Sequence, residues 1–281
     1  MPTPTVRRSA EAEPGARAAG EIAPGAWYRL VLEYDGGAFH GWQRQPGLRT
    51  VEGELRAALR PLCGAEEPEL TAASRTDAGA HAHGQVVGLR TARPWPPDTL
   101  RRAVGATLPP DLTVSSVTVA AEGFHARRDA VRRTYRYLLV PRRVPIARRY
   151  AWEVAAPLDL AAMRRAAALL GGRHDFAAFG RSPRPGGSTV RTVHEVSVRQ
   201  APGLGGGEGF SAVIIEVTAD AFLQGMMRSI AGALVAVGQG RIDASRIAEA
   251  LSRAARGREP FSVAPARGLH QWSVTYPEAA Q

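Results

Sequence analysis

The strongest constraint on this chain is the segment 74–87, SRTDAGAHAHGQVV, which packs an Arg, a Thr, an Asp, two Gly and two His into one short stretch. Residues 69–73 before it have strand-like composition, and residues 85–89 after it form a short apolar run that also reads as a strand. A fold that carries this segment must hold a polar connection between two sheet elements. Catalytic groups concentrate in such connections, because a rigid scaffold aims them without burying their polar backbone. Asp77 has Arg75 two residues before it and Ala78-Gly79 after it, small residues that let a substrate approach the backbone. A carboxylate beside a guanidinium stays ionised at neutral pH, which suits a nucleophile. A β-turn whose Asp accepts from its own loop amides is the other reading of the same residues. Spacing alone leaves both open.

The flanking chain predicts a mixed α/β protein. Residues 27–34 (WYRLVLEY) alternate polar and apolar and predict a first strand. Asp35-Gly36-Gly37 then turns into Phe39-His40-Gly41-Trp42-Gln43-Arg44, a mixture able to stack on bases and hold phosphates, or a loop whose Phe39 and Trp42 close over the core. Residues 50–62 place Val51, Leu55, Ala58, Leu59 and Leu62 on one helical face, with Thr50 as cap. Asp98 is expected to cap a helix ending near Ala106, and residues 112–119 to form a strand. Helices are expected over 159–170, 222–237 and 244–255, and strands over 189–200, 212–218 and 271–276, with 203–209 a hairpin connection. Elements recur before and after about residue 120, which suggests two similar α/β halves, 27–120 and 121–281, facing a shared cleft. Residues 1–26, rich in Ala, Pro, Gly and Glu, read as a disordered leader.

Charge narrows the partner. The leader's Arg7, Arg8 and Arg17 balance Glu11, Glu13 and Glu21, so the net +10 belongs to the remaining body. All 36 basic residues are Arg, a residue suited to planar, bidentate contact with phosphate. Between Arg127 and Arg149 stand nine Arg against one acid, Asp129, with Tyr135 and Tyr137 among them. On a strand, Arg133, Tyr135 and Tyr137 share one side. This is the footprint of RNA binding, or else a solvated basic sheet edge. In the apolar stretch 222–237 the lone Arg228 needs a partner if buried, and Asp77 is the candidate; the alternative is an Arg228 facing solvent. One cysteine, Cys63, rules out an intramolecular disulfide and a cysteine metal cluster, which fits a cytoplasmic protein. No apolar run reaches the length of a membrane span. A metal site built on Asp77, His81 and His83 is also conceivable, though no further ligand cluster accompanies it.

Taken in order, the segments resemble a known family, the tRNA pseudouridine synthases of the TruA type. The resemblance rests on Tyr34-Asp35-Gly36, Gly41-Trp42-Gln43, Arg75-Thr76-Asp77-Ala78-Gly79 with His81, and Gly84-Gln85-Val86. It continues through Phe124-His125-Ala126-Arg127, Arg133-Thr134-Tyr135-Arg136-Tyr137 and Asp175-Phe176 with Phe179. Val190-Arg191-Thr192-Val193 and Ala221-Phe222-Leu223 with Met226 and Arg228 complete it, so it spans nearly all of 28–276. The RTDAG segment with its His is the specific motif; the others are weak singly.

The resemblance implies the pseudouridine synthase fold, two similar α/β halves with a central, mainly antiparallel sheet and a cleft between them. It implies a homodimer, without metal or cofactor, that acts on tRNA and isomerises uridine at positions 38 to 40 of the anticodon arm. By residue matching, Asp77 would be the nucleophile, Tyr135 the aromatic against the target uracil, and Arg228 the partner of Asp77. Arg75 would hold a flipped nucleotide, with Arg127, Arg133 and Gln43 as further substrate contacts. Departures from the family pattern are Ser74 in place of Gly, Ala80 in place of Val, Arg128 in place of an aromatic, and no His near Gln224-Gly225. The competing readings are a paralogue with the same chemistry on another RNA or nucleotide, and a non-catalytic tRNA-binding protein. Intact Asp77, Tyr135 and Arg228 argue against the second.

Overall fold

Alternation sets the first strand: in β1 (Ala26–Tyr34), Tyr28, Leu30, Leu32 and Tyr34 are buried while the residues between them are partly or fully exposed. The computed structural model describes residues 25–63, 67–155, 157–202, 211–252 and 261–277. Most of the expected leader, the connection 203–209 and the end of the helix expected to reach 255 lie outside the described residues. A 3₁₀ turn, Gly36–Ala38, follows β1. Helix α1 (Val51–Cys63) starts where the Gly53 amide donates to Thr50 Oγ1 at 3.3 Å, and it buries Val51, Leu55, Ala58 and Leu59. Then come β2 (Glu69–Ala72), β3 (His81–Thr91), α2 (Pro97–Gly105), β4 (Leu112–Val119) and β5 (Arg132–Val140). The chain continues through β6 (Trp152–Glu153), α3 (Leu160–Ala168), β7 (Gly172–Asp175), β8 (Val190–Pro202) and β9 (Ser211–Ala219). It closes with α4 (Met226–Gly238), α5 (Ser245–Ser252) and β10 (Leu269–Thr275).

Two helix starts differ from the sequence expectation. Helix α2 begins at Pro97, and Asp98 makes no capping hydrogen bond; a proline at the first helical position loses nothing, because that amide would be unpaired anyway. Helix α4 begins four residues later than expected. Gln224 pairs with Arg181 as a β-bridge, and Gly225 then takes φ 77°, a left-handed conformation that ends the bridge before the helix starts.

The strands form one ten-stranded sheet in the order β4-β1-β3-β10-β5-β9-β8-β7, with β2 also on β3 and β6 also on β5. Pairing is antiparallel except at β10–β3 and β5–β6. Strand β10 is inserted between β3 and β5, so the last part of the chain joins the two parts of the sheet. One core cluster packs α1 and α2 on the first strands; a larger one packs α3, α4 and α5 against β5, β8 and β9. With β10 on one side and β9 on the other, β5 is an interior strand. Its arginines are therefore not a solvated sheet edge.

The β1–β3 register shifts between Leu32, opposite Gln85, and Tyr34, opposite Ala82. That irregularity reverses the facing of β3. His81 and His83 stack on His270, with ring centroids 4.8 and 5.4 Å away, whereas Gln85 bonds Gln271 on the opposite side of β10. In the histidine stack, His270 Nε2 donates to the Tyr150 carbonyl at 2.8 Å. His81 Nε2 donates to the Arg149 carbonyl at 2.9 Å while its Nδ1 accepts from the Gly36 amide at 3.0 Å. Burial pushes His270 down to about 3, against the ordinary imidazole value near 6.5, and lowers His81 and His83 as well, with Asp35 and Glu33 opposing the shift.

Two predictions follow from this packing. A Cβ at Gly232 on α4 would lie 1.8 Å from the Ser262 carbonyl oxygen, whereas one at Gly105 would meet nothing within 4 Å. Gly232→Ala should cost at least about 1–3 kcal/mol by overpacking and lower Tm by several degrees, while Gly105→Ala leaves Tm unchanged or slightly raised. Thermal denaturation of both variants checks this. Because the histidine stack is held neutral, the unfolded chain binds more protons than the folded one. Stability is then full above about pH 7 and falls, by up to about 1.4 kcal/mol per pH unit per imidazole, as pH drops through the window from about 6.5 toward 3. Urea titrations at pH 7.5 and 5 should show a smaller loss for His270→Gln than for wild type.

Candidate active site

The loop between β2 and β3 is clamped from below by the chain after β1. The Trp42 amide donates to the Thr76 carbonyl at 3.1 Å, the Gly79 amide to the Phe39 carbonyl at 3.2 Å, and the Tyr34 and Thr76 hydroxyls bond at 2.9 Å. Gly41 permits the contact: with φ 86°, it lies so near the loop that a Cβ would stand 2.8 Å from the Thr76 oxygen. Phe39 and Trp42 are both buried in the core, so this segment closes over the core rather than offering two free rings. Within the loop the Ala80 amide donates to the Asp77 carbonyl at 3.1 Å, and among the described residues the Asp77 carboxylate accepts from Arg228 and from none of its own loop amides.

That carboxylate meets α4. Arg228 Nη1 donates to Asp77 Oδ2 at 3.0 Å, and each side chain is about one-quarter exposed, at 24% and 25%. Arg228 is fixed in turn, because its Nε donates to the Ala264 carbonyl at 2.7 Å and its own carbonyl accepts from the Ala264 amide at 3.2 Å. The pair sits in a cleft of about 780 Å³, a size suited to a small molecule or one extruded nucleotide.

All seven residues singled out in the sequence line this one cleft: Gln43, Arg75, Asp77, Arg127, Arg133, Tyr135 and Arg228. They arrive there differently. Arg75, Arg127 and Gln43 are exposed, and their side chains have no hydrogen bond or ion pair among the described residues. Arg133 is buried at 6% exposure and directs its two terminal nitrogens at carbonyls of Ala130, Asp220, Arg127 and Ala73, at 3.0, 2.6, 2.6 and 3.4 Å. It ties the 127–130 turn and the start of the 74–80 loop to β5, and its donors are largely spent on that. Arg136, on the opposite side of β5, pairs with Glu216 and lies 3.6 Å over the Trp272 ring.

Tyr135 and Tyr137 separate along β5. The Tyr137 hydroxyl donates to the Pro265 carbonyl at 2.6 Å and is outside the cleft, whereas Tyr135 lines it with its ring edge-on to Phe222 at 4.7 Å. Burial pushes the Tyr135 phenol up to about 12, with Ser74 and Arg133 acting against that shift and Asp77 adding to it. Both ring nitrogens of His81 are engaged by backbone, so the metal arrangement of Asp77, His81 and His83 does not assemble; among the described residues no three or more His, Cys, Asp or Glu come together as ligands.

Residue patterns did not single out the polar layer behind the loop. Gln85 and Gln271 are fully buried, and Gln85 Nε2 donates to the Ser74 carbonyl at 2.9 Å. Each is the one amide side chain in its strand, a signal that stands in the sequence but has no meaning until the strands are paired.

Comparison with known proteins identifies the setting. Residues 166–277 match the family described as tRNA pseudouridine synthase. Over 255 residues the chain is 42% identical to tRNA pseudouridine synthase A of Methylorubrum populi, a match covering 89% of this chain and 98% of that protein. The likeness is equally long in other relatives: 42% to the enzyme of the same name from Roseiflexus sp., covering 89% and 90%, and 39% to that of Syntrophotalea carbinolica, covering 88% and 95%. With about two-fifths identity over nearly the full length of these relatives, the chain belongs to the tRNA pseudouridine synthase A family.

Proposed function

We propose that this protein isomerises uridine to pseudouridine in the anticodon stem-loop of tRNA, at positions 38, 39 and 40, with Asp77 as the nucleophile. The observation that carries this reading is the Asp77 carboxylate, pinned by Arg228 in a nucleotide-sized cleft that Tyr135 also lines. The reaction breaks the N1–C1′ bond, joins C5 to C1′, removes a proton from C5 and leaves one on N1. It needs neither a redox partner nor an energy source. A carboxylate attacks C1′ or stabilises its cationic character as the uracil leaves, as in glycoside chemistry.

The detached uracil must then turn within the site without escaping, and the buried ring of Tyr135 gives it a face to lie on. Arg75, Arg127 and Gln43, with unoccupied donors at the rim, hold the phosphates and the extruded nucleotide. Arg133, whose donors are taken, supports the wall rather than the substrate. The protein acts as a cytoplasmic homodimer without cofactor or metal. Among the described residues no helix is long and apolar enough to cross a membrane.

Tritium release from C5-labelled uridine in tRNA tests this directly. Wild type should release tritium, and Asp77→Asn should slow release at least about 10³-fold while tRNA affinity stays within a few fold. EDTA should leave wild type unchanged. Transcripts retaining uridine only at 38, 39 or 40 should each support release, and a transcript with none of the three should not. Release from that last transcript would place the chemistry on another site, and equal rates for wild type and Asp77→Asn would remove Asp77 from the mechanism.

A further inference from the structure

The turn between β4 and β5 is anchored from several sides and sets a histidine in the cleft wall. Phe124 and Ala126 are buried; the Ala126 amide donates to Thr71 Oγ1 at 3.1 Å, and its carbonyl accepts from the Tyr276 hydroxyl at 2.7 Å. Arg133 holds the carbonyls of Arg127 and Ala130. Within the turn, the Asp129 amide donates to the His125 carbonyl at 3.1 Å, and the His125 amide to Asp129 Oδ2 at 2.7 Å. His125 is half-buried and lines the cleft together with Arg127. Its Nδ1 accepts from the Arg127 amide at 3.2 Å and from the Arg128 amide at 3.3 Å. A backbone amide can only donate, so Nδ1 carries no hydrogen, and the neutral ring keeps its hydrogen on Nε2. Among the described residues Nε2 has no hydrogen bond or ion pair.

We infer that His125 is a substrate contact whose Nε2–H, alongside the Arg127 guanidinium, binds a phosphodiester oxygen of the RNA backbone at the target nucleotide. The chemistry of the two side chains selects that group. Both have only donors left to offer the cleft, and neither offers an acceptor. A phosphodiester presents acceptors alone and a negative charge, which suits both. A uracil edge, with its N3–H between two carbonyls, would leave a donor unmatched. Asp129, the one acid of the turn, has Oδ2 taken by the His125 amide. The anchors of the turn fix the N–H before RNA arrives, so little ordering entropy is lost on binding. The inference deepens the pseudouridylation reading and rests on it.

Two substitutions separate the roles of the two ring nitrogens, with Tm and the Kd for tRNA as readouts. Asparagine caps the amides of residues 127 and 128 as Nδ1 does but is too short to replace Nε2; glutamine reaches the Nε2 position with an N–H but gives up the cap. His125→Asn should keep Tm within about two degrees and weaken tRNA binding about tenfold, the loss of a hydrogen bond to a charged oxygen. His125→Gln should lower Tm by a few degrees yet bind tRNA within about threefold of wild type. A neutral methylphosphonate at one of the two linkages flanking the target uridine should weaken binding to wild type about tenfold. It should weaken binding to His125→Asn no more than about threefold, because the bond it removes is already gone. A His125→Asn protein that binds tRNA like wild type would overturn the inference. So would a methylphosphonate cost equal in wild type and His125→Asn at both linkages. Failure of wild type to release tritium from any tRNA would instead overturn the functional reading beneath it, and it shows before any substitution is made.

Discussion

A carboxylate and a guanidinium 151 positions apart in the chain, Asp77 and Arg228, meet at 3.0 Å, and much of the structure serves that meeting. Removing a guanidinium from a partly buried carboxylate leaves a charge without its partner, which costs more than the pair gains. Each side must therefore be held. On one side, β2 and β3 fix the ends of the loop, while Trp42 and Phe39 bond its backbone from below. On the other, α4 carries Arg228, and Ala264 grips both its backbone and its Nε. Gly232 makes the second grip possible by letting the 262–264 segment lie against the helix.

Strand β10 links these supports. Paired with β3 on one side and β5 on the other, it closes the sheet between the carboxylate loop and the strand that bears Tyr135. It also carries two polar layers on opposite faces. His270 joins the neutral histidine stack, and Gln271 joins the amide chain behind Ser74. One layer anchors the Arg149–Tyr150 backbone. The other backs the cleft, which Tyr135, Asp77 and three rim residues, unpaired among the described residues, line with an aromatic ring, a negative charge and hydrogen-bond donors.

Much of this was legible in the sequence, for reasons that differ by element. Strong periodicity gave β1, α1, α3 and β9 to within a residue or two, because a single buried face fixes the pattern. Helix α4 is shorter than its apolar composition predicts: that composition continues through Phe222 and Leu223, and only the Arg181–Gln224 bridge with Gly225 shows where the backbone changes course. Strand β3 illustrates a deeper limit. Strict alternation would place His81, His83 and Gln85 on one face, yet the register shift opposite Leu32 and Tyr34 sends Gln85 to the other. The seven cleft-lining residues are ones that the family resemblance names, without saying what each touches. Arg133 shows the difference, since its charge suggests a substrate contact and its geometry shows a strut. The Ser74–Gln85–Gln271 chain depends on pairing between distant strands and has no local signature.

Single-turnover rates of Arg228→Lys and Arg228→Met on tRNA test most directly whether Arg228 holds Asp77 for reaction. The expected result is a rate reduced at least about a hundredfold in both, with tRNA affinity largely kept. Lysine cannot serve the Ala264 carbonyl and the Asp77 carboxylate with the fixed fork of a guanidinium, so it should not rescue the rate. An Arg228→Met enzyme that turns over at the wild-type rate would contradict the claim that this pair orients the reacting carboxylate.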